Sequence, residues 1–257
     1  MAMIYRTYFL NSFIKRYYSY INARKHLRLF KNDFNDFESL SCKTECRFPI
    51  EWEDRIPCLN DKTECTDFDR HYIYHTAWAA RILSLLKPEI HTDISSSLYF
   101  SSIVSAFLPV NFYDYRPPLL SLSNLKVGSC DICKMVFEDN SIESLSCMHV
   151  IEHIGLGRYG DPLDPDGDIK AAKEIARVLA PKGSLLIAVP VGQSRICFNA
   201  HRIYSYQQVL DLFPEFELQQ FALITDQSID GGLIINASSS MVSKQQYACG
   251  CFHMKHI

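Results

Sequence analysis

The stretch from Asp131 to Gly192 constrains the fold of this 257-residue chain more tightly than any other. Asp131 opens a loop, and Ser144 to His153 reads as a short apolar strand running into a cluster of His and Glu. From Ile169 to Leu179 apolar residues recur at helical spacing with charged ones between them, the pattern of an amphipathic helix. A Pro181-Lys182-Gly183 turn then leads into the apolar run Ser184 to Pro190, which suits a strand buried on both faces. Strand, helix, strand is a β-α-β unit, the crossover that parallel strands require. It implies a doubly wound α/β sheet.

The flanking sequence extends the same alternation. Tyr74, Ala77, Trp78, Arg81, Ile82 and Leu85 fall at helical spacing, and the pattern stops before Lys87-Pro88. Glu89 to Ile94 reads as a strand, Tyr99 to Phe107 as a helix, and Val110 to Tyr115 as a strand ended by Arg116-Pro117-Pro118. Downstream, a helix is expected over Tyr206 to Leu212 and strands over Glu217 to Thr225 and Gln246 to His253. Residues 1–66 lack this alternation and read as an N-terminal extension, leaving 67–257 as the α/β domain. At 47% hydrophobic residues the chain can bury a sizeable core.

Composition narrows the function classes. A net charge of −3 gives no electrostatic case for nucleic acid. Ten cysteines in 257 residues are too sparse for a disulfide scaffold, and no secretory signal is read ahead of them, so a reducing, cytoplasmic setting is expected. Cys42, Cys46, Cys58 and Cys65 form the one cluster resembling a structural zinc site, but without paired C-x2-C knuckles. Cys130 and Cys133 read as incidental thiols. No apolar run reaches the ~18 residues of a membrane span. The first 31 residues interleave aromatics with Arg6, Lys15, Arg16, Arg24, Lys25, Arg28 and Lys31. They are expected to form a helix packed on the main domain, although the pattern also suits an anionic membrane surface.

Chemistry concentrates after the Ser144 strand. His149, Glu152, His153, Arg158, Tyr159, Asp161, Asp164 and Asp166 put imidazole, carboxylate and guanidinium groups at the carboxyl end of a strand, where open α/β sheets bind ligands. Gly155, Gly157 and Gly160 allow the following loop to fold over a pocket. His201 and Arg202 return to the same rim. A histidine near neutrality can take a proton from a hydroxyl or amine, making His201, His153 and Glu152 the catalytic candidates. Arg158, Tyr159, Asp161 and Arg202 are the substrate-binding candidates, Arg being suited to bidentate anion contact. The alternative is a polar network bracing two loops. His149, Glu152 and His153 also spell H-x-x-E-H, the zinc-binding helix signature of inverted zinc peptidases. A strand before it and Gly155 and Gly157 just after argue against a helix there, so no metal site is assigned.

The Asp131 to Gly192 stretch resembles the second half of a class I S-adenosylmethionine-dependent methyltransferase. More narrowly, HYIYHTAWAARI, TDISSSL, YDYRP, SCMHVIEHIGLGRYGDPLDPDG and FNAHRIYS, in that order over about residues 48 to 252, resemble a bacterial domain of unknown function, family 268. The resemblance implies a three-layer Rossmann-like methyltransferase fold with a mostly parallel seven-strand sheet whose last strand is antiparallel. It implies S-adenosylmethionine as cofactor, and a small polar, possibly glycan-linked acceptor methylated on oxygen or nitrogen. It assigns Asp93, Ser95, Ser97, Asp114, Tyr115, Asp131, Ile132 and His149 to the cofactor. Asp114 would meet the ribose hydroxyls, and Asp131 with Ile132 the adenine. One departure stands out: the loop after the first strand, Ser95-Ser96-Ser97, contains no glycine. A binding protein of this fold that has lost the cofactor is therefore the rival reading.

Overall fold

The computed structural model describes residues 24–43, 47–227 and 231–257. The chain divides into two compact units, Met1–Asp67 and Phe68–Ile257. In the first unit, residues 24–41 are helical (α1), and the Trp52 ring takes Phe34 edge-on at 4.9 Å and the Arg55 guanidinium at 4.3 Å. Cys42, Cys58 and Cys65 are exposed free thiols. Cys46, and the part of the basic aromatic segment before residue 24, lie outside the described residues. Among the described residues no helix is long and apolar enough to cross a membrane.

The second unit is built on α2 (Arg70–Leu86), β1 (His91–Ile94), α3 (Leu98–Val104), β2 (Val110–Asp114), β3 (Leu125–Ser129), β4 (Ile142–Met148), α4 (Gly167–Val178) and β5 (Leu179–Val191). A hairpin of β6 (Arg195–Cys197) and β7 (His201–Ile203) follows, then α5 (Tyr206–Leu212), β8 (Phe216–Ile224), β9 (Leu233–Ile235), α6 (Ser239–Val242) and β10 (Ala248–His256). The main sheet runs β3-β2-β1-β4-β5-β10-β8-β9. The first five strands are mutually parallel, whereas β10 lies antiparallel between β5 and β8.

The last strand is antiparallel, as expected, but among the described residues the sheet has eight strands rather than seven. The apolar triplet Leu233–Ile235 satisfies the free edge of β8. The turn at Pro181-Lys182-Gly183 falls within β5, where Lys182 takes a left-handed φ of 65° and the pairing with β4 shifts register.

Two apolar layers flank the sheet. On α2, the Asp69 carboxylate caps the first turn by accepting from the Tyr72 N–H at 3.1 Å. Its buried residues His75, Trp78, Ala79, Ile82 and Leu83 follow the i, i+3, i+4, i+7, i+8 stripe of a helix facing a core. Trp78, Ala79, Ile82 and Leu83 pack with Phe100, Val104, Phe112, Leu186 and Cys251. On the opposite face α4 buries Ala171, Ala172, Ile175 and Val178 with Leu145, Leu185 and Phe252. Strand order reverses between β1, which leads out to β2 and β3, and β4, which leads to β5 and beyond. The crevice at the carboxyl ends of β1 and β4 is thus the topological switch point, where doubly wound sheets bind ligands.

Candidate active site

A cleft of about 420 Å³ opens at that switch point, lined by Ser95, Ser96, Ser97, Asp114, Tyr115, Asp131, Ile132, Met148, His149 and Val150 among others. The chain leaves β1 at Ser95 with a φ of 55°, a left-handed conformation uncommon outside glycine. Its N–H donates to the Tyr113 carbonyl at 2.7 Å, and Ser96 Oγ accepts from the Met148 N–H at 3.0 Å. Serine thus makes the turn that glycine makes more easily. Ser97 precedes α3 without a side-chain capping bond.

Asp93 is displaced from its expected role. It is fully buried, absent from the cleft wall, and accepts from Ser101 Oγ at 2.6 Å and from Ser146 Oγ. Burial raises its carboxyl to about 6, against the lowering effect of the serine hydrogen bonds. Ser146 also meets His91 Nε2 at 2.9 Å. The carboxylate therefore belongs to a network between β1, α3 and β4. Every residue of β1 is buried, so no polar and apolar alternation marked which way Asp93 turned.

The other acids reach the cleft. Asp114 ends β2, and its Oδ1 accepts from the Arg116 N–H at 2.7 Å, while Oδ2 has no hydrogen bond among the described residues. Asp131 accepts from the Cys133 N–H at 2.9 Å. Ile132 is buried beside it, and Tyr115 is half-exposed at the cleft wall.

A second cleft, of about 380 Å³, adjoins the first and shares Tyr72, His149, His153 and Tyr159 with it. His71, Glu152, Arg158, His201 and Tyr247 complete much of its wall. His149 sits just past β4 with a left-handed φ of 57°. Its Nδ1 lies 2.8 Å from Glu152 Oε1, and its ring stacks on those of His71 and Tyr72, both at 5.4 Å. Burial works against charge on His149, yet the neighbouring Cys249 sulfur and Glu152 carboxylate raise its pKa. Glu152 is fully buried, and its Oε2 lacks a hydrogen-bond partner among the described residues. His153 Nδ1 lies 2.6 Å from the Ala200 carbonyl. His201 stacks on Tyr247 at 4.9 Å. Burial and then the nearby His153 lower its pKa, which leaves a neutral imidazole in the cleft. Ile151 to His153 form a single 3-10 turn rather than an α-helix, so the helical scaffold of an H-x-x-E-H peptidase is not formed.

Arg202, expected to bind substrate, is instead a buried brace, whereas Asp161, expected in the same role, lines the larger cleft while also holding its own loop. Arg202 is only 5% exposed. Its Nη1 donates to the Ile154 carbonyl at 2.6 Å and Nη2 to that of Pro165 at 3.0 Å, and Nε faces Asp168 Oδ1 at 3.5 Å. Asp161 Oδ2 accepts from the Gly155 N–H at 2.7 Å, and Oδ1 accepts from that of Tyr159 at 3.2 Å. Slight burial works against ionisation of Asp161, but these N–H donors lower its pKa. The long connection between β4 and α4, which carries site residues, is thus folded on itself and tied to the hairpin strand β7. Arg158 remains exposed and donates to the Ala200 carbonyl at 3.2 Å, with Tyr159 stacked beside its guanidinium at 5.1 Å.

His71, Tyr72, Arg116 and Tyr247 were not singled out from sequence as site residues. His71 and His75 stand one helical turn apart, a spacing that was legible, but their segment read as a core helix.

The arrangement of strands recurs in solved methyltransferases. A putative methyltransferase from Bacillus halodurans superposes with a TM-score of 0.51 at 13% identity, covering 70% of this chain and 97% of that one. The N-methyltransferase NodS from Bradyrhizobium japonicum, solved with S-adenosyl-L-homocysteine, gives 0.51 at 14% identity, covering 77% and 93%. The fold is that of the methyltransferases. The family model described as a Caenorhabditis protein of unknown function, DUF268, matches residues 126–248. Its description names Caenorhabditis, not the bacteria expected from the resemblance, and the match is shorter than residues 48 to 252. No curated protein matches the chain.

Proposed function

We propose that the chain is an S-adenosylmethionine-dependent methyltransferase that modifies an oxygen or nitrogen of a small polar acceptor. The observation that carries this reading is the pair of adjoining clefts at the switch point, one edged by carboxylates and apolar side chains, the other by histidines and tyrosines. The residues fit the cofactor. Asp114 Oδ2 is open to a ribose hydroxyl, Ile132 and Val150 offer apolar surface for a purine, and Ser95 reproduces the glycine turn. Once bound, the cofactor supplies an electrophilic sulfonium methyl. The chain then holds the acceptor beside it, and orientation provides much of the rate. His201, kept neutral, accepts the acceptor's proton, while Arg158 and Tyr159 hold its polar groups. A glycan-linked acceptor suits these hydrogen-bonding and aromatic surfaces.

A second reading is favoured by the burial of Asp93 and the serine loop: a binding protein of this fold without the cofactor. Calorimetric titration with S-adenosylmethionine and S-adenosylhomocysteine separates the two. Micromolar binding, ~8 kcal/mol, followed by methyl transfer to a member of an acceptor panel, supports the enzyme. No heat at millimolar ligand rejects it.

A further inference from the structure

Between α2, the end of β4 and the start of β10 lies a group of side chains to which the methyl-transfer reading gives no chemical step. His71, His149 and Cys249 bring their Nδ1 or Nε2 and Sγ atoms within 4.8 Å of one another. Cys249 is fully buried, and its sulfur faces the imidazole of His149. The second observation is an orphan. His149 is buried to 9% exposure, its Nδ1 is taken by Glu152, and its Nε2, beside the Cys249 sulfur, has no hydrogen-bond partner among the described residues that meets the geometry of a hydrogen bond. His75, one turn along α2 with its ring 5.0 Å from that of His149, has a second orphaned Nε2. Two unsatisfied buried nitrogens at one spot are costly unless something binds them.

We infer that His71, His149 and Cys249 form a binding site for Zn²⁺ or a similar borderline-soft divalent cation. Two imidazoles and one thiol match the donor preference of zinc, and three protein ligands leave one coordination position for water, His75 or a substrate atom. Tetrahedral zinc with bonds of ~2.0–2.3 Å sets its ligand atoms roughly 3.5 Å apart, so the side chains close in by about 1 Å. Glu152 stands where a carboxylate orients a metal-bound imidazole: it accepts from His149 Nδ1–H and leaves Nε2 for the ion. Binding forms nitrogen–metal and Sγ–metal bonds and releases to solvent both the Cys249 thiol proton and the proton on His149 Nε2. The ion would join a helix to two strands at the wall of the smaller cleft. The inference goes beyond the methyl-transfer reading and does not depend on it.

The test uses the full chain, stripped with a chelator and titrated with Co²⁺, with circular dichroism to check folding. The expected result is one cobalt per chain with a thiolate-to-cobalt charge-transfer band, retained in Cys251→Ser and lost in both Cys249→Ser and His71→Ala. Glu152→Gln is expected to weaken binding about 10- to 100-fold. Absence of the band in the wild-type chain, or its survival in folded His71→Ala and Cys249→Ser, overturns the site. Cofactor titration of the metal-free chain reads the methyltransferase proposal separately.

Discussion

Replacing Asp114 tests the cofactor cleft most directly, because its two oxygens have separable duties. Oδ1 holds the turn through the Arg116 N–H, and Oδ2 has no hydrogen bond among the described residues although the side chain lines the cleft. A charge-assisted hydrogen bond to a ligand is worth about 1.5–3 kcal/mol, so Asp114→Ala should weaken S-adenosylhomocysteine binding roughly 10- to 150-fold. Asp114→Asn keeps an acceptor for the Arg116 N–H but removes the charge, and its affinity should fall between the two. Since Arg116 is exposed, water can satisfy its N–H in the alanine variant, and the melting temperature should change little. Calorimetry gives the affinities and a thermal melt checks the fold. Unchanged affinity in Asp114→Ala would refute the assignment of this carboxylate to the cofactor. A large fall in melting temperature would instead show that the turn, rather than the ligand, depends on it.

Arg202→Ala leaves Asp168 buried without its cation and frees the carbonyls of Ile154 and Pro165, so a stability loss of about 3–5 kcal/mol is expected in denaturant unfolding; a loss under about 1 kcal/mol would show that the brace is not needed. Gly155→Ala sets a Cβ 2.0 Å from the Asp164 carbonyl oxygen at a φ of +80°, which should displace the Arg158–Tyr159 loop and speed its cleavage in limited proteolysis. His91 is fully buried and held down at about 3 by desolvation, below the unfolded value of 6.5. Its neutral form therefore favours the folded state above pH 6.5, and that contribution is lost as pH falls towards 3, by up to about 5 kcal/mol. Asp93, raised to about 6, shares Ser146 with His91 and opposes this between roughly pH 4 and 6, because its protonated form is the one favoured by burial. His91→Gln should lower the midpoint of acid unfolding, and an unchanged midpoint would exclude His91 as the acid-sensitive group.

The long periodic elements were legible because their constraints are local. The stripe on α2 stops at Lys87 before a proline, and α5 begins and ends where it was read, fixed at its start by a capping box between Ser205 and Gln208. Three-residue strands such as β6, β7 and β9 carry too few positions for any period, so the hairpin and the eighth strand were missed. The carboxyl-edge location of His149, Glu152 and His153 followed from strand order. The inward turn of Asp93 and the bracing role of Arg202 did not, because each depends on partners far along the chain: Ser146 for one, Ile154 and Pro165 for the other. The meeting of His71, His149 and Cys249 spans three distant segments and is invisible to any local window.

Insertion of β10 between β5 and β8 has a consequence for how the molecule is made. The last strand in sequence occupies an interior place in the sheet, where it pairs along most of its length on both sides. Until it arrives during synthesis, β5 and β8 present unpaired edges, and their non-local pairing with β10 is of the slow-forming kind. Because Cys249 travels on that strand, the histidine pocket becomes complete only when the sheet closes. A chain that lacks this strand thus exposes two sheet edges of the kind that pair with other chains and cannot bring Cys249 to His71 and His149.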